Sequence, residues 1–465
     1  VPTTRPRPFR RRDVLSLAAL APLSACASVP DVKDFLENSA LERDILGPGH
    51  APDRNRPKAL TTPETEDETS AALQQQYELQ KALSESPLVF GNQTRVLHIG
   101  PNALAAMFDA MRQARDHINL EYFILANVQS GGQTLSDLLL DKLQSGVAVN
   151  MIYDSYGSRA TPGAFFQRLR DAGARIVEFN PLNPFAAKTG WSPNDRDHRK
   201  IMVVDGSVGF TGGINLDPAY ENPPSAGIPA DGDTEHAFWR DTAVRIDGPA
   251  VAELQKLFFG TWRAQKGPPV APVRYFPPLP RQGVQTIRII GSSPGDHRPL
   301  YYVSLMAAIR AARRRIWLSS GYFVPPHQER EALYAAARAG VDVRVVTPAH
   351  SDVEAAVYAA RAAYGDLLES GAHIWEVQDA VLHSKLVTVD GIWSVIGSSN
   401  LDRRSVVFNN EVDAIILGSD TASQVEAILR SDIAAARPVT LKAWQNRSLG
   451  ERLHELEARV WQYWM

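Results

Sequence analysis

Cysteine is almost missing: among 465 residues only Cys26 is one, which excludes a disulfide framework and a cysteine-based metal site within the chain. Long hydrophobic runs are missing too. The apolar stretch from Val14 to Leu23 is too short to span a bilayer, and no other segment reads as transmembrane. Nor is there an excess of charge of one sign. Lysine plus arginine number 49 against 52 for aspartate plus glutamate, a net charge of -3. No global basic field therefore advertises nucleic acid as a partner, and an anion has to be held by locally placed groups. The length exceeds one ordinary core and points to two domains.

What the sequence does contain is one cassette, twice. The first copy reads His198-Arg199-Lys200-Ile201-Met202-Val203-Val204-Asp205 and the second His383-Ser384-Lys385-Leu386-Val387-Thr388-Val389-Asp390. Each runs on to a small-residue turn ending in asparagine at a matched offset, Gly212-Gly213-Ile214-Asn215 and Gly397-Ser398-Ser399-Asn400. The strand period of two points His198 and Lys200 together, and His383 and Lys385 likewise. A lone H-x-K on a strand is more often a satisfied core histidine. Two copies in register fit displacement at phosphorus, where one imidazole attacks and a second moves protons.

The flanking signals alternate between strand and helix in both halves and predict a duplicated α/β unit. Residues 1–26 read as an export signal and 27–86 as a polar tether with a short helix over Ala71 to Leu83. Residues 87–265 form the first domain, 266–283 a proline-rich semi-rigid linker, and 284–465 the second domain. His198 to Val204 is expected as a strand that pairs around Asp205-Gly206 with Val208 to Thr211. Val353 to Glu369 is expected as one helix. Glu121-Tyr122-Phe123 and Gly321-Tyr322-Phe323 are paired as matching landmarks. The architecture expected is two α/β domains packed so that both cassettes meet at one cleft.

Asp205 and Asp390 belong to the cassette, but each precedes glycine at a turn, which favours a structural role. Asp241 in Trp239-Arg240-Asp241 and Glu411 in Asn409-Asn410-Glu411 are the better candidates for orienting the imidazoles, since a carboxylate accepting the distal N–H fixes the tautomer. The glycine- and serine-rich turns are expected to bring backbone close to the anion. Tyr156, Phe323 and Trp375 are candidates for the mouth, with a plain core role as the alternative. The tail Trp461-Gln462-Tyr463-Trp464 fits a membrane interface or a docked helix equally.

The paired H-x-K-x4-D motifs resemble the phospholipase D superfamily. Asn194-Asp195-Arg196-Asp197-His198-Arg199-Lys200, Gly212-Gly213-Ile214-Asn215, Trp239-Arg240-Asp241-Thr242 and Gly397-Ser398-Ser399-Asn400-Leu401-Asp402-Arg403-Arg404-Ser405 are similar to bacterial cardiolipin synthases. The resemblance implies two phospholipase D-like domains around one shared site and a covalent phosphohistidine. His198 would be the nucleophile and His383 the acid/base, with Lys200, Lys385, Asn215 and Asn400 on the non-bridging oxygens. No metal or cofactor is expected. The implied reaction is transfer of a phosphatidyl group from one phosphatidylglycerol to another, giving cardiolipin. A hydrolytic phospholipase D, an exported phosphodiester nuclease and a non-enzymatic membrane scaffold are the alternatives. Two features depart from the common pattern: Asn410 stands where an apolar residue is usual, and N-terminal transmembrane helices are not found.

Arg10-Arg11-Arg12, the apolar run and Leu23-Ser24-Ala25-Cys26 resemble a bacterial lipoprotein signal, and Arg11-Arg12-Asp13-Val14-Leu15 resembles a twin-arginine signal. The expectation is lipidation at Cys26 and a lipid-anchored protein in the cell envelope, on the periplasmic side of a bacterial membrane.

Overall fold

The computed structural model describes residues 29, 31, 66–82, 86–183, 191, 192, 194–223, 239–296 and 299–448. The expected export signal with Cys26 and the tail Trp461 to Trp464 lie outside the described residues. Among those described, no helix is long and apolar enough to cross a membrane.

After α1 (Glu66–Ala82), the first half runs β1 (Val89–His98), α2 (Gly100–Gln113), β2 (His117–Tyr122), α3 (Leu135–Gln144), β3 (Ala148–Asp154), α4 (Gly163–Asp171) and β4 (Arg175–Phe179). It ends with β5 (Lys200–Val204), β6 (Val208–Gly212), β7 (Thr242–Asp247) and α5 (Val251–Ala264). The second half repeats this as β8 (Gln285–Ser292), α6 (Leu300–Ala311), β9 (Arg315–Ser320), α7 (His327–Arg338), β10 (Asp342–Pro348), α8 (Glu354–Arg361), α9 (Tyr364–Ser370) and β11 (His373–Val377). There follow β12 (Lys385–Val389), β13 (Trp393–Gly397), α10 (Arg403–Val407), β14 (Asn409–Leu417), α11 (Ser419–Ala435), β15 (Arg437–Val439) and α12 (Leu441–Gln445).

The strands form a single sheet in the order β15-β11-β10-β9-β12-β13-β14-β8-β1-β7-β6-β5-β2-β3-β4. Read outwards from the centre, the order on the two sides is the same, apart from β15 added at one edge. The halves join where β1 meets β8 antiparallel, Val89 opposite Ile287. Whereas β1 at the centre alternates between buried and exposed positions, strands β2, β3, β5, β12, β13 and β14 are buried along their whole length. Their runs of valine, isoleucine and leucine suit a sheet covered by helices on both faces.

Each cassette strand ends in a tight hairpin. Asp205 and Gly206 have φ of 51° and 63°, and Asp390 and Gly391 have 52° and 71°, the left-handed pair of a type I′ turn, closed by the N–H of Ser207 on the carbonyl of Val204 and that of Ile392 on Val389. The Asp205 carboxylate accepts the backbone N–H groups of Arg115, Asp116 and His117 at 2.9, 2.9 and 3.0 Å. Asp390 does the same for Arg313, Arg314 and Arg315 at 2.9, 2.8 and 3.0 Å. These two aspartates, carried among the catalytic candidates, are thus corrected to clamps that fasten the hairpin to the start of β2 or β9. They sit five residues along the strand from each lysine, roughly 16 Å away at ~3.3 Å per residue.

Four expectations change. The segment read as tether contains the longer helix α1, and Leu79 of that helix is buried among Tyr302, Val303 and Met306, with Val29 against the same cluster. Its inward stripe includes Gln76 and Gln80, so the buried face is half polar and escapes hydropathy. The helix expected over 353–369 is two helices. Ala363 N–H bonds to the carbonyl of Ala360, a tightened turn that swings Tyr364 into the core against Thr347. The linker is fastened down: Trp262 donates to the carbonyl of Pro268, Arg274 N–H to Asp116 and Asn150 to the Tyr275 hydroxyl. Finally, Tyr122 is opposite Lys200 whereas Ser320 is opposite Lys385. The structural counterpart of Phe123 is therefore Gly321, and the two aromatic landmarks are offset by two residues.

Candidate active site

The two histidines sit just before β5 and β12 rather than on them, because the chain there pairs across the molecule. Arg196–Asp197 pairs in parallel with Asn409–Asn410, and Val381–Leu382 with Trp239–Arg240. The backbone N–H of His198 donates to the carbonyl of Asn410 at 2.9 Å, and that of His383 to the carbonyl of Arg240 at 2.8 Å. Each register brings the next residue of the crossing segment, a carboxylate, beside the histidine. Glu411 accepts from Nδ1 of His198 at 3.0 Å, and Asp241 from Nδ1 of His383 at 2.7 Å. Both expected carboxylates serve, but each serves the histidine of the opposite half.

With both Nδ1 atoms engaged, Nε2 of each ring is left for chemistry. The ring centroids are 6.5 Å apart and the planes 77° from parallel, leaving room for one phosphoryl group between them. The amine of Lys200 donates to the carbonyl of His198 at 2.7 Å, and Lys385 makes the same contact with the carbonyl of His383. Each ammonium keeps further N–H donors for an anion.

Burial dominates the electrostatics. It lowers His198 to about 4 despite the opposing pull of Glu411, and drives His383 well below the usual histidine range, helped by Lys385 and Lys200. Burial also lowers Lys200 to about 7, and lowers Lys385. Burial works against the charge of Glu411, but His198 beside it and the donors around it hold it below the ordinary carboxylate value. Asp241 is pushed up to about 6 by burial, with Lys385 and the Thr242 N–H opposing. An anion arriving between the rings restores the positive charge that burial suppresses.

Asn215 and Asn400 lie at matching places. The Asn215 side chain accepts from the N–H of Ile124 at 3.2 Å, and the Asn400 backbone N–H reaches the Ser405 hydroxyl at 3.1 Å. The small-residue turns serve a different purpose from the one expected. A Cβ on Gly213 would meet the Asp241 carboxylate at 2.2 Å and one on Gly397 the Asp413 carboxylate at 1.8 Å, so these glycines make room for buried acids, not for the substrate. Of the mouth candidates, Phe323 is in the core. Trp375 lies on β11 opposite Pro438 of the edge strand, with His373 beside it. Tyr156 stacks with Arg159.

The sequence reading missed the donors behind each dyad. Ser398 donates to Glu411 at 2.5 Å and Asn409 at 3.1 Å. In the other half Gly213 has no hydroxyl to offer, and Tyr220 donates to Asp241 at 3.2 Å. Tyr220 follows Asn215 at the spacing by which Ser405 follows Asn400, but the Ser405 hydroxyl accepts from the Asn400 N–H, so the repeat does not report the role of Tyr220. It also missed Phe123, whose ring is 5.2 Å from that of His198, and the rings of Trp239 and Tyr322, 4.7 and 6.0 Å from that of His383.

Paired imidazoles with crossed carboxylates, in a duplicated α/β sheet, make a phospholipase D-type site. The family described as "Cardiolipin synthase, PLD-like domain" matches residues 107–222 and 305–433, and the chain belongs to this family. It is 34% identical over 386 residues to a cardiolipin synthase of Geobacillus sp. (strain WCH70), covering 82% of this chain and 74% of that one. It is 36% identical over 387 residues to cardiolipin synthase A of Pseudomonas syringae pv. syringae (strain B728a), covering 81% and 75%. Among solved structures, the phosphatidylserine synthase of Haemophilus influenzae Rd KW20 superposes with a TM-score of 0.59 at 12% identity, over 85% of this chain and 98% of that chain; this likeness concerns the fold.

Proposed function

We propose that this chain makes cardiolipin by moving a phosphatidyl group from one phosphatidylglycerol to the hydroxyl of another, releasing glycerol. The observation that carries the reading is the pair of facing imidazoles, each held by a carboxylate from the other half.

In the first step Nε2 of His198 attacks phosphorus. The N–P bond forms and the bond to the glycerol oxygen breaks, with His383 giving that oxygen its proton. Glu411, held in its charged form, stabilises the cationic phosphohistidine through Nδ1–H. In the second step the now neutral His383 takes the proton of the incoming lipid hydroxyl. The new O–P bond forms, the N–P bond breaks, and His198 and the protonated His383 are restored. Lys200, Lys385, Asn215 and Asn400 are the groups placed to hold the non-bridging oxygens as charge builds on them. The protein works at a membrane to which lipid chains on Cys26 hold it, on the periplasmic side; each buried methylene adds ~0.8 kcal/mol to such an anchor.

Incubation of the purified protein with phosphatidylglycerol in mixed micelles, with products resolved by mass spectrometry, tests the reaction. Cardiolipin and glycerol in equal amounts are expected; phosphatidate alone refutes transfer. Cys26→Ser is expected to release the protein from membranes, and unchanged sedimentation with them removes the anchor.

A further inference from the structure

The two histidines share a chemistry but not a surrounding. The side chain that covers His198 comes from its own half: the ring of Phe123 lies 5.2 Å from it. The equivalent position in the second half is Gly321, where even a Cβ would come within 2.9 Å of the His383 backbone. The aromatic cover of His383 therefore comes from other positions. Trp239, carried across from the first half by the pairing of Trp239–Arg240 with Val381–Leu382, lays its indole 4.7 Å from the His383 ring, tilted by 46°. Tyr322 closes another side, edge-on at 6.0 Å, with its hydroxyl turned away to Asp352 at 2.8 Å. Tyr220 backs the indole at 5.8 Å.

Resting on the reading of His383 as the acid/base, we infer that Trp239 is a specificity-determining residue that favours a lipid alcohol over water as the acceptor. In the second step the acceptor must be held at Nε2 of His383 long enough to lose its proton. A water fixed at such a place needs two to four polar partners. The indole face and the phenol ring supply none on their sides, and the Tyr322 hydroxyl is directed to Asp352 instead. An acceptor alcohol needs only its own hydrogen bond to the imidazole, and its glycerol carbons gain contact with the indole. Both acceptors follow one balanced course: the O–P bond forms, the N–P bond to His198 breaks, and His383 takes the proton. Only the product differs, cardiolipin from the lipid alcohol and phosphatidate from water.

The test is the ratio of phosphatidate to cardiolipin made by the full chain from phosphatidylglycerol in mixed micelles. For Trp239→Ala we expect the ratio to rise about tenfold, which corresponds to ~1.4 kcal/mol of differential barrier. Trp239→Phe, which keeps an aromatic face, is expected to stay within about twofold of the wild type, a change worth ~0.4 kcal/mol. Trp239→Leu gives a bulky apolar variant should the alanine chain fail to fold, and an intermediate ratio is expected. A purely structural role lowers both products together and leaves the ratio fixed; that result in the folded alanine or leucine variant overturns the inference. The wild-type ratio from the same experiment tests the transferase reading separately, since phosphatidate without cardiolipin there ends both.

Discussion

His198 and Glu411 are 213 positions apart in the chain, yet the imidazole Nδ1 and the carboxylate are 3.0 Å apart. The reciprocal pair, His383 and Asp241, is separated by 142 positions and 2.7 Å. Neither half holds a complete histidine–carboxylate pair of its own. The duplication yields a working arrangement only when the two halves exchange carboxylates, through short parallel pairings that cross the interface.

The crossed pairs predict non-local effects of substitution. Glu411→Gln, which keeps the shape but loses the charge beside His198, is expected to lower kcat about 10²–10⁴-fold, as removal of a histidine-orienting carboxylate does. Asp241→Asn acts through His383 and is expected to fall in the same range. With KM little changed in both, steady-state kinetics on phosphatidylglycerol separates lost imidazole orientation from lost binding. A fall in KM affinity with kcat preserved contradicts the pairing.

The cassette aspartates predict the opposite split. Asp390→Ala removes an acceptor of three backbone N–H groups and places alanine at a φ of 52°. A loss of about 1–3 kcal/mol for the unpaired donors is expected, seen as a melting point lower by several degrees. Turnover per folded molecule is expected to stay within about threefold, a barrier change of ~0.7 kcal/mol. Loss of activity in a protein of unaltered melting point contradicts the clamp role.

What the sequence made legible follows from what repeats. The cassettes, the turns and the two orienting carboxylates are periodic or duplicated, so residue spacing reports them, and the duplicated sheet follows from the same repeat. The exchange of Glu411 and Asp241 between halves is a product of three-dimensional register, for which nothing in linear spacing stands. The asymmetric residues were equally hidden. Ser398 and Tyr220 do the same work from unrelated positions, and Trp239 reaches the His383 ring from the other half of the chain. Helix α1 was expected over Ala71 to Leu83, but its docking on the second half was not, since glutamines occupy part of its buried stripe.

The suppressed charges predict a displaced pH profile. Burial lowers His198 to about 4, so the nucleophile is unprotonated through the neutral range. In the empty site burial also lowers Lys200 to about 7 and keeps His383 uncharged well below its ordinary value. The acid form of His383 is therefore scarce in the free protein, and kcat/KM is expected to decline already as pH rises through neutrality. The bound phosphodiester favours protonated His383 and Lys200, so the alkaline limb of kcat is expected about one pH unit or more above that of kcat/KM. Parallel profiles, measured from acid to alkaline pH, contradict this. Calorimetry in buffers of different ionisation enthalpy is expected to show proton uptake on binding a phosphodiester analogue.

Two imidazoles acting on one phosphorus atom can be tested by catching the intermediate. With His383→Ala the acceptor cannot be deprotonated, so a phosphatidyl group placed on His198 is expected to persist when a substrate with a good leaving group is supplied. Rapid quenching at alkaline pH and peptide mass spectrometry are expected to find the adduct on the peptide containing His198, and no adduct with His198→Ala. An adduct on another residue, or near-normal transfer by either histidine variant, contradicts the shared site.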